Sequence, residues 1–283
     1  MITVLEAIKL STEYLEKKQV ESPRTNAEIL LADILHCKRL DLYLSFDKPL
    51  SENELNLYRE SIKQRAMRIP LQYILGYVEF FGLKINVNQN VLIPRPETEL
   101  LVEKIINDFK SIKNLRILDI GSGSGNISLS LAKNLENSFV TGIDISDKAI
   151  EVAIDNAIKN SVANVEFKLL DIMTEEIFNQ GKFDLIVSNP PYVSKNDYQT
   201  LEPELKVHEP RVALTDNADG LTFYNRIITI AKNILKQQGY LYFEIGKDQH
   251  EIIYGLMNQQ KFNNIKIQKD YSGIERMIYG QYL

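Results

Sequence analysis

The sequence predicts an α/β protein: a mainly parallel, Rossmann-like sheet of seven strands ending in an antiparallel hairpin, preceded by a small N-terminal helical domain. Three observations carry that expectation. From Arg116 onward, short apolar runs alternate with helical stretches, the pattern of a parallel sheet covered on both faces. Only residues 271–275 join the last two apolar runs, too few for a parallel crossover, so this pair must be antiparallel. The first 75 or so residues keep a helical period instead.

Taken in order, Thr3 with Glu6 and Ser51 with Glu54 are capping-box patterns ahead of apolar periodicity, so each opens a helix. Ser22-Pro23 opens another, with Ala27, Leu30, Leu31, Ile34 and Leu35 at helical spacing. The texture then changes: "EFFGLKINVNQNVLIP" alternates apolar and polar, which predicts a β-hairpin over 78–94 turning at Asn88-Gln89-Asn90. "RPETELLVEKIINDF" predicts a helix. Strands are expected at 116–121, 139–145, 165–171, 183–189, 239–246, 265–270 and 276–283. The expected domains are 1–77, helical; 78–94, a hairpin linker; and 95–283, the α/β domain.

Composition narrows the function classes. A 44% hydrophobic share with 25% charged residues suits a soluble globular chain with a real core. The formal charge is −5, and residues 1–85 hold twelve basic and twelve acidic side chains, so no basic clamp for nucleic acid is expected. Cys37 is the single cysteine and the three histidines, His36, His208 and His250, are scattered, so neither a disulfide nor a metal site is expected. Charges at Glu6, Lys9, Glu13 and Glu16 interrupt any signal-peptide core, and no run of about 18 apolar residues exists to cross a membrane. The expected location is cytoplasmic.

"LDIGSGSGNIS" runs from a strand straight into a helix. Gly121, Gly123 and Gly125 allow a tight turn and a close ligand approach, in G-x-G-x-G rather than dinucleotide spacing. Asp144 ends the next strand, 19 residues after Gly125, where a carboxylate can accept from both hydroxyls of a ribose. Asp171 ends the third strand and can accept from an adenine amino group, with Ile172 against the ring face. Each aspartate alone also reads as a helix cap. Together, at the carboxyl ends of consecutive strands, they predict a nucleoside pocket.

"SNPPYV" follows the fourth strand. Proline fixes φ and lacks a donor, and the residue before it is held extended. Asn189 and Pro190 therefore offer two rigid acceptors, a side-chain oxygen and a main-chain carbonyl, while Tyr192 offers a flat face. Two fixed acceptors suit a planar –NH2 group. Such a nitrogen is a poor nucleophile, but alignment against a potent electrophile such as a sulfonium methyl is worth up to about 7–11 kcal/mol.

With these motifs in view, the chain resembles class I S-adenosyl-L-methionine-dependent methyltransferases, and within them the HemK-like (PrmC) glutamine N5-methyltransferases that modify peptide chain release factors. The likeness rests on "LQYILGYVEFFGLKINVNQNVLIPRPETELLVE", the glycine turn, "SNPPYV", "HEPRVAL" and "FEIGKDQ". It implies a seven-stranded methyltransferase sheet in which Asn189, Pro190, Pro191 and Tyr192 hold the substrate glutamine, and Asn189, Pro190 and Tyr192 are catalytic. It implies cofactor contacts from Gly121, Ser122, Gly123, Ser124, Gly125, Asp144, residue 172 and Asn189, joined by Asp171. The family often carries an aromatic where Ile172 stands, so ring stacking is lost here. The implied target is the glutamine of a release factor's Gly-Gly-Gln loop, with the helical domain as docking surface.

Thr98 reads as a helix cap, with Glu97 and Glu99 favouring the first turn; Arg95 or Glu97 is also weighed as a ligand contact, and Glu209 as a loop-ordering residue. Three rival readings compete. An N6-adenine or N4-cytosine DNA methyltransferase presents the same amino group to such a loop but needs a DNA-binding face. A ribosomal-protein glutamine methyltransferase keeps the chemistry with another target. A non-catalytic or heme-related adaptor would need neither loop nor pocket.

Overall fold

A computed structural model describes residues 2–283. Its chain forms two units, one of residues up to Tyr77 plus Glu202–His208, the other of Val78–Leu201 and Glu209–Leu283.

The first unit is helical: α1 (Val4–Lys17), α2 (Pro23–Ile34), α3 (Glu52–Ala66) and α4 (Leu71–Leu75). Both capping boxes form, Thr3 with Glu6 and Ser51 with Glu54, satisfying amide donors the helix itself leaves orphaned. Val4, Ile8, Leu15, Leu30, Leu31 and Leu42 make a buried core around Tyr58, whose hydroxyl donates to the Ala27 carbonyl at 3.0 Å. Glu204, far along the chain, joins this unit by accepting from Arg65 at 3.1 Å and Arg68 at 2.6 Å.

From Tyr77 the chain runs into a two-stranded hairpin, β1 (Tyr77–Phe80) and β2 (Leu83–Asn86), which from Val78 belongs to the second unit. Its turn is Phe81-Gly82 and not Asn88–Asn90, which lies beyond the second strand. Phe81 and Gly82 take φ of 47° and 73°, the double positive φ that matches a two-residue hairpin to strand twist. Glu99 holds the turn by accepting the Phe81 amide at 2.9 Å.

Next come α5 (Pro96–Phe109), β3 (Arg116–Ile120), α6 (Asn126–Asn134), β4 (Phe139–Asp144), α7 (Asp147–Lys159), β5 (Val165–Leu169) and β6 (Phe183–Ser188). Short helices α8 (Lys195–Tyr198) and α9 (Arg211–Leu214) lead to α10 (Thr222–Ile234), β7 (Leu235–Glu244), α11 (His250–Gln259), β8 (Phe262–Lys269) and β9 (Glu275–Tyr282). The seven-stranded sheet has order β5-β4-β3-β6-β7-β9-β8. All pairs from β5 to β7 are parallel, and β9 enters antiparallel between β7 and β8. The predicted sheet is therefore present, with its closing hairpin.

Apolar runs such as Leu185-Ile186-Val187 are buried on both faces, as parallel strands under helices demand. The order reverses between β3 and β6: the chain moves from β3 toward one edge, then returns to fill the other. Crevices at such a reversal are where open α/β sheets bind ligands. Among the described residues, no helix is long and apolar enough to cross a membrane, and no three metal-ligating side chains cluster.

Candidate active site

The register across the reversal sets the site. Ile120 of β3 is the partner of Ser188 of β6, and Ser188 of Phe243 of β7. The residues that follow, Gly121, Asn189 and Glu244, thus stand side by side at this edge of the sheet. Ser188 locks the edge by donating from Oγ to the Ile120 carbonyl at 2.7 Å.

Beyond this edge lies a cavity lined in part by Gly121, Gly123, Asp144, Asp171, Ile172 and Asn189. Two carboxylates beside an apolar wall, at the carboxyl ends of the strands, suit a nucleoside-bearing ligand. Pro190, Pro191 and Phe223 also border it. Four of the sequence candidates stand off the wall. Ser122 and Ser124 are buried in the turn, Gly125 packs below it, and Tyr192 lies behind the loop.

Gly121, Gly123 and Gly125 all take positive φ, 76°, 52° and 80°. A Cβ on Gly125 would lie 2.9 Å from the Phe167 ring, so here both conformation and space exclude a side chain. The turn is tied to the neighbouring strand: Gly121 and Ser122 amides donate to the Ile143 carbonyl, and the Gly123 amide donates to Asp144 Oδ2 at 2.9 Å. Asp144 Oδ1 accepts from the Ser146 amide at 2.9 Å. Burial raises its carboxyl above the ordinary range, against the hydrogen bonds from Ser146 and Gly123 that lower it. Asp144 thus shapes the glycine turn and also faces the cavity. Asp171 turns its own segment by accepting the Met173 amide at 2.8 Å. Ile172 is buried, its carbonyl held by Arg226 Nε at 2.7 Å, so its position is fixed.

Asp119 was not singled out by sequence. It braces the start of α6 by accepting the Ser128 amide and hydroxyl at 3.1 and 2.6 Å, and burial pushes its carboxyl up to about 7.

The Asn189 loop is held from several sides. The Val193 amide donates to the Leu214 carbonyl at 3.0 Å. Gln249 bridges, donating Nε2 to the Tyr192 carbonyl at 3.0 Å while its Oε1 accepts the Gly246 amide at 2.9 Å. Gly220 packs so closely that a Cβ would meet the Tyr192 carbonyl at 2.4 Å. These contacts explain Gln249 in "FEIGKDQ".

"IPRPETE" and "HEPRVAL" meet through Glu209, which accepts from Arg95 and from the Ile93 amide at 3.2 Å. Arg95 is the N-cap residue of α5, without a side-chain cap bond, and Glu97 is exposed on the first turn. Thr98 does not cap the helix as its sequence context suggested. It lies inside the first turn, buried, and its hydroxyl donates to Glu244 Oε2 at 2.6 Å. Asn189 Nδ2 donates to the same Thr98 oxygen at 3.4 Å, and the Tyr192 hydroxyl donates to Glu244 Oε1 at 3.4 Å. Sequence reasoning missed Glu244. The available signal was a carboxylate ending an otherwise apolar strand, "YLYFE".

Comparison with known proteins agrees with this geometry. A family model described as "Methyltransferase domain" matches residues 111–278, and one described as "PrmC N-terminal domain" matches residues 6–76. A release factor glutamine methyltransferase from Fusobacterium nucleatum is 44% identical over 275 residues, covering 97% of this chain and 77% of its own. Another so named, from Flavobacterium psychrophilum, is 43% identical over 267 residues, covering 93% and 92%. Among solved structures, a methyltransferase from Pyrococcus furiosus shares the fold at a TM-score of 0.51 and 18% identity, over 71% of this chain and 89% of that one. On its sheet, its glycine-turn pocket and these relatives, the chain belongs to the release factor glutamine methyltransferase family.

Proposed function

We propose that this enzyme transfers a methyl group from S-adenosyl-L-methionine to the side-chain amide nitrogen of a release factor glutamine, the one in the Gly-Gly-Gln loop, with a cytoplasmic site of action. One observation carries the reading most: Asn189 and Pro190 leave β6 beside the cavity that Gly121, Gly123 and Asp144 line, so two fixed acceptors adjoin that pocket.

The residues present fit the cofactor. Gly121 and Gly123, both at positive φ, leave no side chain over the pocket floor, Asp144 and Asp171 supply acceptors, and Ile172 supplies an apolar wall. When bound, S-adenosyl-L-methionine supplies a sulfonium methyl. Asn189 Oδ1 and the Pro190 carbonyl accept the two N–H bonds of the glutamine amide and turn its nitrogen toward the pocket. Tyr192 backs the loop, and Pro191 stiffens it. Transfer of that methyl to the nitrogen would leave S-adenosyl-L-homocysteine and release one amide proton to solvent. Positioning supplies the acceleration. Residues 1–77, together with Glu202–His208, serve as the docking domain and the rest of 95–283 as the methyl-transfer domain, joined through the hairpin.

The test supplies radiolabelled S-adenosyl-L-methionine with purified release factor, a ribosomal protein and duplex DNA in parallel. Label in the Gly-Gly-Gln peptide of the release factor supports the reading. Label confined to DNA or to the ribosomal protein refutes it.

A further inference from the structure

We infer that Glu244, acting through Thr98, is a positioning residue that fixes which way the Asn189 amide faces. The inference rests on the proposed methyl transfer for its kinetic consequence, and on the geometry alone for its structural one.

The argument is one of hydrogen-bond polarity. A carboxamide has an oxygen that only accepts and a nitrogen that only donates, and nothing in its shape chooses between its two orientations. The choice is made by its neighbour. The Thr98 hydroxyl has one proton, and that proton is committed to Glu244 Oε2 at 2.6 Å, the length of a charge-assisted bond. Toward Asn189, Thr98 can then only accept. Asn189 must therefore present its Nδ2, as found at 3.4 Å, and its Oδ1 is left for a guest amide. Were the amide reversed, its oxygen would face a hydroxyl lone pair, and its –NH2 would face the –NH2 of the glutamine.

The surroundings keep this relay intact. Glu244 is buried at the end of β7, and its backbone carbonyl is held by the Tyr224 hydroxyl at 2.9 Å. Its second oxygen accepts from Tyr192, so one carboxylate organises both the amide and the ring of the Asn189 loop. Thr98 is fixed by the first turn of α5. Burial pushes the Glu244 carboxyl up to about 7; the Thr98 and Tyr192 hydrogen bonds and the charge of Arg276 lower it, and the charge of Glu97 raises it. Arg95 and Arg276 also act on the neighbouring Tyr192. A protonated Glu244 can donate to Thr98, which frees the threonine proton for Asn189 and lets the amide turn over. The relay thus holds its working polarity only above the titration of this carboxyl.

The test compares wild type with Thr98→Val, Thr98→Ser and Glu244→Gln. Thr98→Val keeps the shape and removes the hydroxyl; Glu244→Gln keeps the shape and removes the charge. Turnover on the release factor is measured from pH 5.5 to 9, together with donor affinity by calorimetry. The expected result is a loss of kcat of at least about tenfold in Thr98→Val and Glu244→Gln, with donor affinity within threefold of wild type. Thr98→Ser is expected to recover most of the kcat. In Glu244→Gln, the acid limb of the kcat profile near pH 7 should vanish. Full kcat in both Thr98→Val and Glu244→Gln, or an acid limb unchanged in Glu244→Gln, would overturn the relay. A wild-type protein that labels no glutamine would instead overturn the proposed function, so the two failures are separate. If Thr98→Val does not fold, Glu244→Gln decides alone.

Discussion

Asn189 and Glu244 show how much of the site depends on single atoms. Replacing Asn189 with alanine removes one oriented acceptor, and is expected to cost about 3 kcal/mol of transition-state stabilisation, the scale of losing one preorganised polar contact. Turnover should fall about 100-fold while donor affinity changes little, as single-turnover kinetics and calorimetry would show. Glu244 carries a cost of its own. Its carboxyl titrates near 7 when folded, above the ordinary range, chiefly because it is buried. A raised carboxyl favours the folded state fully at low pH, and that advantage is lost as pH rises from the unfolded value through 7. The loss at high pH is on the order of 3 kcal/mol. Glu244→Gln is therefore expected to melt at a higher temperature than wild type at pH 8, with the gap closing toward pH 5. A less stable Glu244→Gln at pH 8 would contradict it. A residue that lowers stability while organising the Asn189 loop is the kind of compromise working sites make.

At the scale of elements, the glycine turn and the Glu204 segment make the sharpest demands. Gly125→Ala must place a Cβ at φ +80° and within 2.9 Å of Phe167. The expected outcome is a loss of about 2 kcal/mol or more, with weakened donor binding, read by chemical denaturation and calorimetry. In the helical unit, burial works against the Glu204 carboxylate, but hydrogen bonds from Arg68 and Arg65 outweigh it and hold the carboxyl below its ordinary range. Glu204→Ala would leave the Arg65 guanidinium buried without its carboxylate, at a cost of about 3 kcal/mol. Urea unfolding of the full chain would show it.

The same elements show what the sequence made legible. The strand at 183–188 was readable from Leu185-Ile186-Val187, because a parallel strand covered on both faces must be apolar where it is buried, and the capping boxes because their chemistry is local. The Asn189 loop was readable because two prolines constrain their neighbours wherever they occur. The hairpin turn was misplaced because Phe81 at positive φ is stabilised by Glu99, a partner from another element. Thr98 was misread for the same reason: its partner, Glu244, is 146 residues away. Glu204 in the helical unit was unreadable, since its partners Arg65 and Arg68 lie 139 and 136 residues before it.

For the whole molecule, the account joins a sheet whose order reverses between β3 and β6, a pocket at that reversal, and a rigid pair of acceptors beside it. The −5 formal charge gives no long-range attraction to a polyanion, so methylation of duplex DNA is expected to stay at background even at low salt. Salt-dependent label in DNA would speak against the protein target. The most direct measurement is a crystal structure with S-adenosyl-L-homocysteine and a Gly-Gly-Gln peptide bound. The account predicts the glutamine amide nitrogen within hydrogen-bond distance of both Asn189 Oδ1 and the Pro190 carbonyl, facing the sulfur. A glutamine side chain seated away from residues 189–192, or an Asn189 amide turned with its nitrogen toward the peptide, would contradict it.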